Sequence, residues 1–79
     1  MKTKVRLKKK ILKSLGQKVK FYRNQMNLSQ ETLAFDIGVD RTYIGAIEQG
    51  LRSPSIYCLF VMATRFKIAL KDLVDFSLD

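Results

Sequence analysis

An all-α fold, a compact bundle of about five short helices, is what this chain predicts, and three observations carry it. Apolar residues recur every three or four positions over most of the length. No stretch alternates apolar and polar residues as a half-buried strand would. Residues that start or stop helices (Asn27, Ser29, Gly38, Asp40, Gly50, Pro54 and Ser55) divide the periodic segments at short intervals.

The elements follow in order. Met1–Lys10, "MKTKVRLKKK", reads as a basic N-terminal arm with too few apolar residues to pack by itself. From Ile11 the spacing of Leu12, Leu15, Val19, Tyr22 and Met26 predicts a first helix to about Met26, closed by Asn27. Gly16 inside it costs about 1 kcal/mol relative to alanine. Ser29 is a good N-cap for a second helix, "QETLAFDI", with Leu33 and Ile37 inward and Gly38 at a left-handed stop. Asp40 can cap a third, "RTYIGAIEQ", which Gly50 ends. Two short helices joined by a glycine-containing turn form a helix-turn-helix by spacing alone, with the small Ala34 where they must cross. Pro54 excludes helix at Ser53, Ser55 can cap a fourth helix from Ile56 to about Phe66, and a last one lies near Leu70–Phe76. Residues 11–79 thus read as one domain, with the arm before it.

Charge is distributed unevenly. Residues 1–30 carry ten Lys or Arg and no acid, whereas the remainder carries a net −2, giving +8 in all. An excess of this size on 79 residues points to a polyanion, either nucleic acid or an acidic membrane surface; the bland alternative is a solubilising tail. The arm lacks the bulky apolar face that an interfacial helix needs, and no run approaches the ~20 apolar residues that span a bilayer. On this reading there is no membrane partner. Lys2, Lys4, Arg6, Lys8, Lys9 and Lys10 are expected to neutralise phosphates.

Chemistry finds little support. The chain has no histidine, hence no ordinary general base near neutral pH and none of the commonest transition-metal ligand. Cys58 is the single cysteine, so it forms no internal disulfide and fits a reducing cytoplasm. Set within "SIYCLFVMA", it reads as a small buried hydrophobe. We expect no enzyme, no metal and no cofactor.

Recognition centres on "DRTYIGAIEQG". Ile44 and Ile47 form a narrow apolar stripe, while Arg41, Thr42 and Tyr43 occupy the first turn and Gly45 and Ala46 keep the helix low. A major groove roughly 12 Å wide admits one helix, and its floor presents a distinct donor and acceptor pattern for each base pair. Arg41 can fork onto guanine O6 and N7, Thr42 can bond either way and touch a thymine methyl, and Tyr43 can pack on the sugar-phosphate edge or a flexible pyrimidine-purine step. Gln49, Arg52 and Ser53 flank the helix and can hold the backbone.

The run "LSQETLAFDIGVDRTYIGAIEQGLRSPS" resembles the Cro/phage-repressor (Xre-type) helix-turn-helix domain, with its pattern L-S-Q-x-x-L-A, G-V, I-x-x-I-E-x-G and P-S. The likeness covers about Ile11 to Phe76, and "DRTYI" followed by "IE" is further similar to the controller proteins of restriction-modification systems. It departs at Gly45-Ala46, where those proteins usually have Ser-Gly, removing one hydroxyl from the DNA-facing helix. The resemblance implies a lambda-repressor-like fold and a homodimeric regulator on a palindromic double-stranded DNA operator in the bacterial cytoplasm, with RNA polymerase a candidate further partner. It implies base-edge contacts at the early third-helix positions and Ala46, backbone contact from Gln30, and a buried structural pair between Arg23 and Glu48. Phage-type repressors and DNA-binding antitoxins share the domain, and a protein-interaction module that kept the fold is the alternative of another class.

The dimer surface is expected on the last two helices. "IYCLFVMA" is apolar for eight consecutive residues, more than one small bundle can bury. Ile56, Leu59, Phe60, Ala63 and Phe66 take the inward spacing, which leaves Tyr57, Val61, Met62, Val74 and Phe76 for a partner copy.

Overall fold

The computed structural model describes residues 2–78, as α1 (Lys2–Gln25), α2 (Gln30–Ile37), α3 (Arg41–Glu48), α4 (Ile56–Phe66) and α5 (Leu70–Leu73), with no strand among the described residues. Side-chain placement is described from Thr3 onward, so the side chain of Lys2, counted above among the phosphate contacts, lies outside the described residues.

α1 differs most from its expected bounds. The periodicity predicts a start at Ile11, but the helix begins at Lys2. Its first residues contain neither Gly nor Pro, and once a helix is nucleated each further residue adds a backbone hydrogen bond at little cost. Apolar spacing marks where a helix packs, not where it begins. With 24 residues, α1 is about 36 Å long and accounts for the 37 Å long dimension of the molecule. Asn27, at φ 56°, closes the helical segment in a left-handed conformation.

Glycine in α1 now has a structural reason. A Cβ on Gly16 would lie 2.4 Å from the carbonyl oxygen of Ile47 and 2.6 Å from that of Glu48. The bare backbone lets α1 touch the end of α3 directly, which offsets the helix-propensity cost.

Capping follows the sequence at two of three sites. Ser29 Oγ accepts from the Thr32 N–H at 2.9 Å, and Ser55 Oγ accepts from the Cys58 N–H at 3.0 Å. Gly38 ends α2 at φ 78°. Asp40 departs from expectation: its carboxylate makes no cap bond and instead accepts the hydroxyl of Thr42.

The core gathers Leu15 and Val19 of α1, Leu33 and Ala34 of α2, Ile44 and Ile47 of α3, five residues of α4 and Leu73 of α5. The rotation of α4 is the main correction to the sequence reading. Cys58, Leu59, Met62, Ala63 and Phe66 face inward, whereas Ile56 and Phe60 are 63% and 54% exposed. Met62, expected at a dimer interface, is fully buried within the single chain and has no surface to offer a partner. Eight apolar residues in a row contain no phase, so neighbouring helices choose which side is buried. Two contacts accompany that orientation: the Phe66 ring stacks on Tyr22 at 6.1 Å, and Arg65 Nε reaches Asp36 of α2 at 2.8 Å.

Candidate nucleic-acid interface

α3 is held from behind and open in front. Ile44 and Ile47 are fully buried, three residues apart on one face. At its C-terminal end Arg23 Nε meets Glu48 Oε2 at 2.6 Å and Nη2 meets Oε1 at 3.1 Å, while Nη1 donates to the Leu28 carbonyl at 2.5 Å. The two side chains are only 11% and 4% exposed. This fork clamps α1, the loop before α2 and the last turn of α3 together, and every buried polar side-chain atom among the described residues has a partner.

The open side is a shallow concavity of about 280 Å³ lined by Gln30, Arg41, Thr42, Gly45, Ala46, Gln49 and Leu51. Arg41, Thr42 and Gln49 are exposed, and Gly45 and Ala46 form its low floor. Gln30 reaches in from the first turn of α2, its Nε2 donating to Glu48 Oε1 at 3.0 Å. A Cβ on Gly45 would stand 3.6 Å from Gln30 Oε1, an ordinary contact, so the Gln30 amide does not require glycine there. The buried pair therefore does more than brace the bundle: through Glu48 it also positions a polar group at the front.

Five residues singled out in the sequence thus share one surface: Gln30, Arg41, Thr42, Ala46 and Gln49. Three others sit differently. Tyr43 is half-buried against the core, with the Arg52 guanidinium 5.1 Å above its ring, so the two form a stacked unit beside the concavity. Ser53 lines a separate groove with Lys4, Leu7, Lys8, Ile11 and Leu12. Leu51, 69% exposed at the rim, escaped the sequence reading, although a leucine isolated in a polar loop was a usable signal.

The residues expected at a dimer contact also separate. Tyr57 and Val61 share a groove of about 320 Å³ with Ile37, Phe60 and the Asp36–Arg65 pair. Phe76 lies elsewhere, half-buried beside Ser14, Gln17, Lys18 and Phe21 of α1, and Val74 is exposed. Burial pushes the Cys58 thiol up from its ordinary pKa, which keeps it protonated and unreactive. No helix among the described residues is long and apolar enough to cross a membrane, and no cluster of potential metal ligands occurs among them.

Comparison with known proteins gives a consistent result. The chain is 41% identical over 63 residues to the control protein C.BamHI of Bacillus amyloliquefaciens, covering 78% of each chain. Its structure matches the restriction-modification controller protein C.AhdI from Aeromonas hydrophila with a TM-score of 0.75 at 40% identity, over 78% of this chain and 94% of that one. It also matches SinR, a master regulator for biofilm formation solved in complex with DNA, with a TM-score of 0.73 at 32% identity, over 77% of this chain and 98% of that one. The model of the helix-turn-helix family HTH_3 matches residues 19–73, and this chain belongs to that family.

Proposed function

We propose that this protein is a sequence-specific transcriptional regulator of the restriction-modification controller kind, which binds double-stranded DNA as a homodimer and performs no catalysis. The observation that carries the reading is the front of α3, where Arg41, Thr42 and Gln49 project around the low floor of Gly45 and Ala46. A helix with a small-residue floor and donors at its edges can sit deep in a major groove. Arg41 reads guanine, Thr42 contacts a neighbouring base edge, and Gln30 and Gln49 hold the phosphates on either side. Arg52, lifted by Tyr43, holds the outer strand. The controller proteins that this chain resembles support the regulatory part of the reading.

The apolar front of α4 supports the dimer. Ile56, Tyr57 and Phe60 are 63%, 76% and 54% exposed and, with Val61, make a continuous patch that a second copy can cover. A two-fold dimer presents two α3 helices to one face of the duplex, about 34 Å apart. Such a regulator works where the DNA is, in the bacterial cytoplasm.

Selection of bound fragments from a random duplex pool tests the proposal. We expect an inverted repeat whose half-sites are centred one helical turn apart. A consensus without two-fold symmetry, or none at all, would overturn it.

A further inference from the structure

The helical extension at the start of α1 is the strongest feature that the α3 surface leaves unexplained. From Thr3 to Lys10 every side chain is exposed, and α1 contains no acidic residue. The charges there oppose the helix that carries them. Basic residues sit at the positive end of the helix dipole, and Lys4 with Lys8 and Arg6 with Lys10 are like-charged pairs four apart. Among the described residues, none of Lys4, Arg6, Lys8 or Lys9 pairs with a carboxylate. Lys10 is already engaged, its Nζ donating to the Leu78 carbonyl at 3.3 Å.

Position identifies what would compensate these charges. Gly50, at φ 77°, packs against α1 so closely that a Cβ there would lie 3.2 Å from Lys13 Cα. The helix therefore continues about 15 Å past the loop that leaves α3, at 1.5 Å per residue. That loop has two sides. Leu51 lines the α3 concavity, and two residues on Ser53 lines the groove bordered by Lys4 and Lys8. The groove is thus distinct from the surface proposed to meet DNA and lies across from it on the other side of the loop that holds Arg52.

We propose that Lys4 and Lys8 form a phosphate-binding strip that extends the α3 surface across the 50–53 loop onto the backbone flanking each half-site. The proposal rests on the DNA-binding reading above. Neutralisation by phosphate removes the Lys4–Lys8 repulsion within the extension, so DNA also stabilises this part of the helix. Arg6 and Lys9 lie on other sides of α1, outside the groove, which gives an internal control of equal charge.

Full-length wild type, K4Q/K8Q and R6Q/K9Q are compared by salt titration of binding to a random-sequence duplex, to the duplex obtained by selection and to phosphatidylserine vesicles, with helix content checked by circular dichroism. Glutamine preserves helix propensity. K4Q/K8Q should reduce the slope of log K against log salt by roughly 1.8, at ~0.9 for each phosphate contact, with base preference unchanged. R6Q/K9Q should reduce it by clearly less. Equal reductions in the two variants would mean net charge alone and overturn the strip, as would an unchanged K4Q/K8Q slope in a protein that still discriminates between the duplexes. A defect confined to phosphatidylserine vesicles would overturn it in favour of a membrane surface. Wild type that binds neither duplex would refute the DNA reading itself, an outcome distinct from the others.

Discussion

α3 and α4 are both half-buried helices, yet their exposed faces are built on opposite plans. α3 buries two isoleucines and presents Arg41, Thr42 and Gln49 around Gly45 and Ala46; α4 buries five residues and presents Ile56, Tyr57 and Phe60. The α3 face can exchange water for base edges and phosphates with its hydrogen-bonding groups satisfied. The α4 face offers almost none and gains only by excluding water. Two helices of one small bundle thus suit two kinds of partner, and the difference lies wholly on the sides that the fold leaves open.

The support behind α3 is where this contrast is most easily broken. Arg23→Ala leaves the Glu48 carboxylate buried without its partner, and we expect a loss of about 3–5 kcal/mol in urea unfolding. Replacing both partners by apolar residues of similar size should recover much of it, since no lone charge then remains. A loss below about 1 kcal/mol for the single variant would place the pair among solvent-screened surface contacts.

The second test separates the two sides of α4. Met62→Ala should cost about 2–5 kcal/mol, as expected for a fully buried side chain. Phe60→Glu should leave the fold nearly as stable and instead shift sedimentation at micromolar concentration from dimer to monomer. If Phe60→Glu unfolds the chain while Met62→Ala is tolerated, the rotation of α4 described here is wrong.

Smaller effects sharpen the α3 side. Arg41→Ala should lose about 1–3 kcal/mol of discrimination at one position in each half-site, whereas Arg52→Ala weakens binding to all sequences alike. Uniform loss in both would remove Arg41 from the set of base readers. Smallest of all is the pH response of Cys58. Its thiol is raised in the folded state, so the unfolded chain gives up its proton first; stability is unaffected below the ordinary thiol pKa and falls slightly as pH rises through it. Alkylation should accordingly be slow under native conditions and rapid in urea.

How far residues could be read in advance depended on how local their constraints are. Ser29 and Ser55 cap within three residues of themselves, and Gly38 ends α2 through its own backbone, so each was legible where it stands. The spacing of Ile44 and Ile47 told which side of α3 is buried and hence which side is left open. Other features had no local signal. Nothing in "IYCLFVMA" distinguishes Phe60 from Met62; packing against the other helices buries one and exposes the other, with Phe66 stacked on Tyr22 and Arg65 bridged to Asp36 in that orientation. Asp40 takes the Thr42 hydroxyl in place of a cap bond, and Gln30 is tied to Glu48 across 18 positions.

Capping, periodicity and net charge are properties of neighbouring residues, so the helix-turn-helix, its polar front and the concentration of basic charge in the first thirty residues can be read along the chain. Which residues share a surface is fixed by packing between the helices. That packing stacked Arg52 on Tyr43, moved Phe76 to α1, placed Ser53 beside Lys4 and Lys8, and showed why Gly16 is bare. These depend on distances between segments far apart in the chain, and such distances are set when the helices pack.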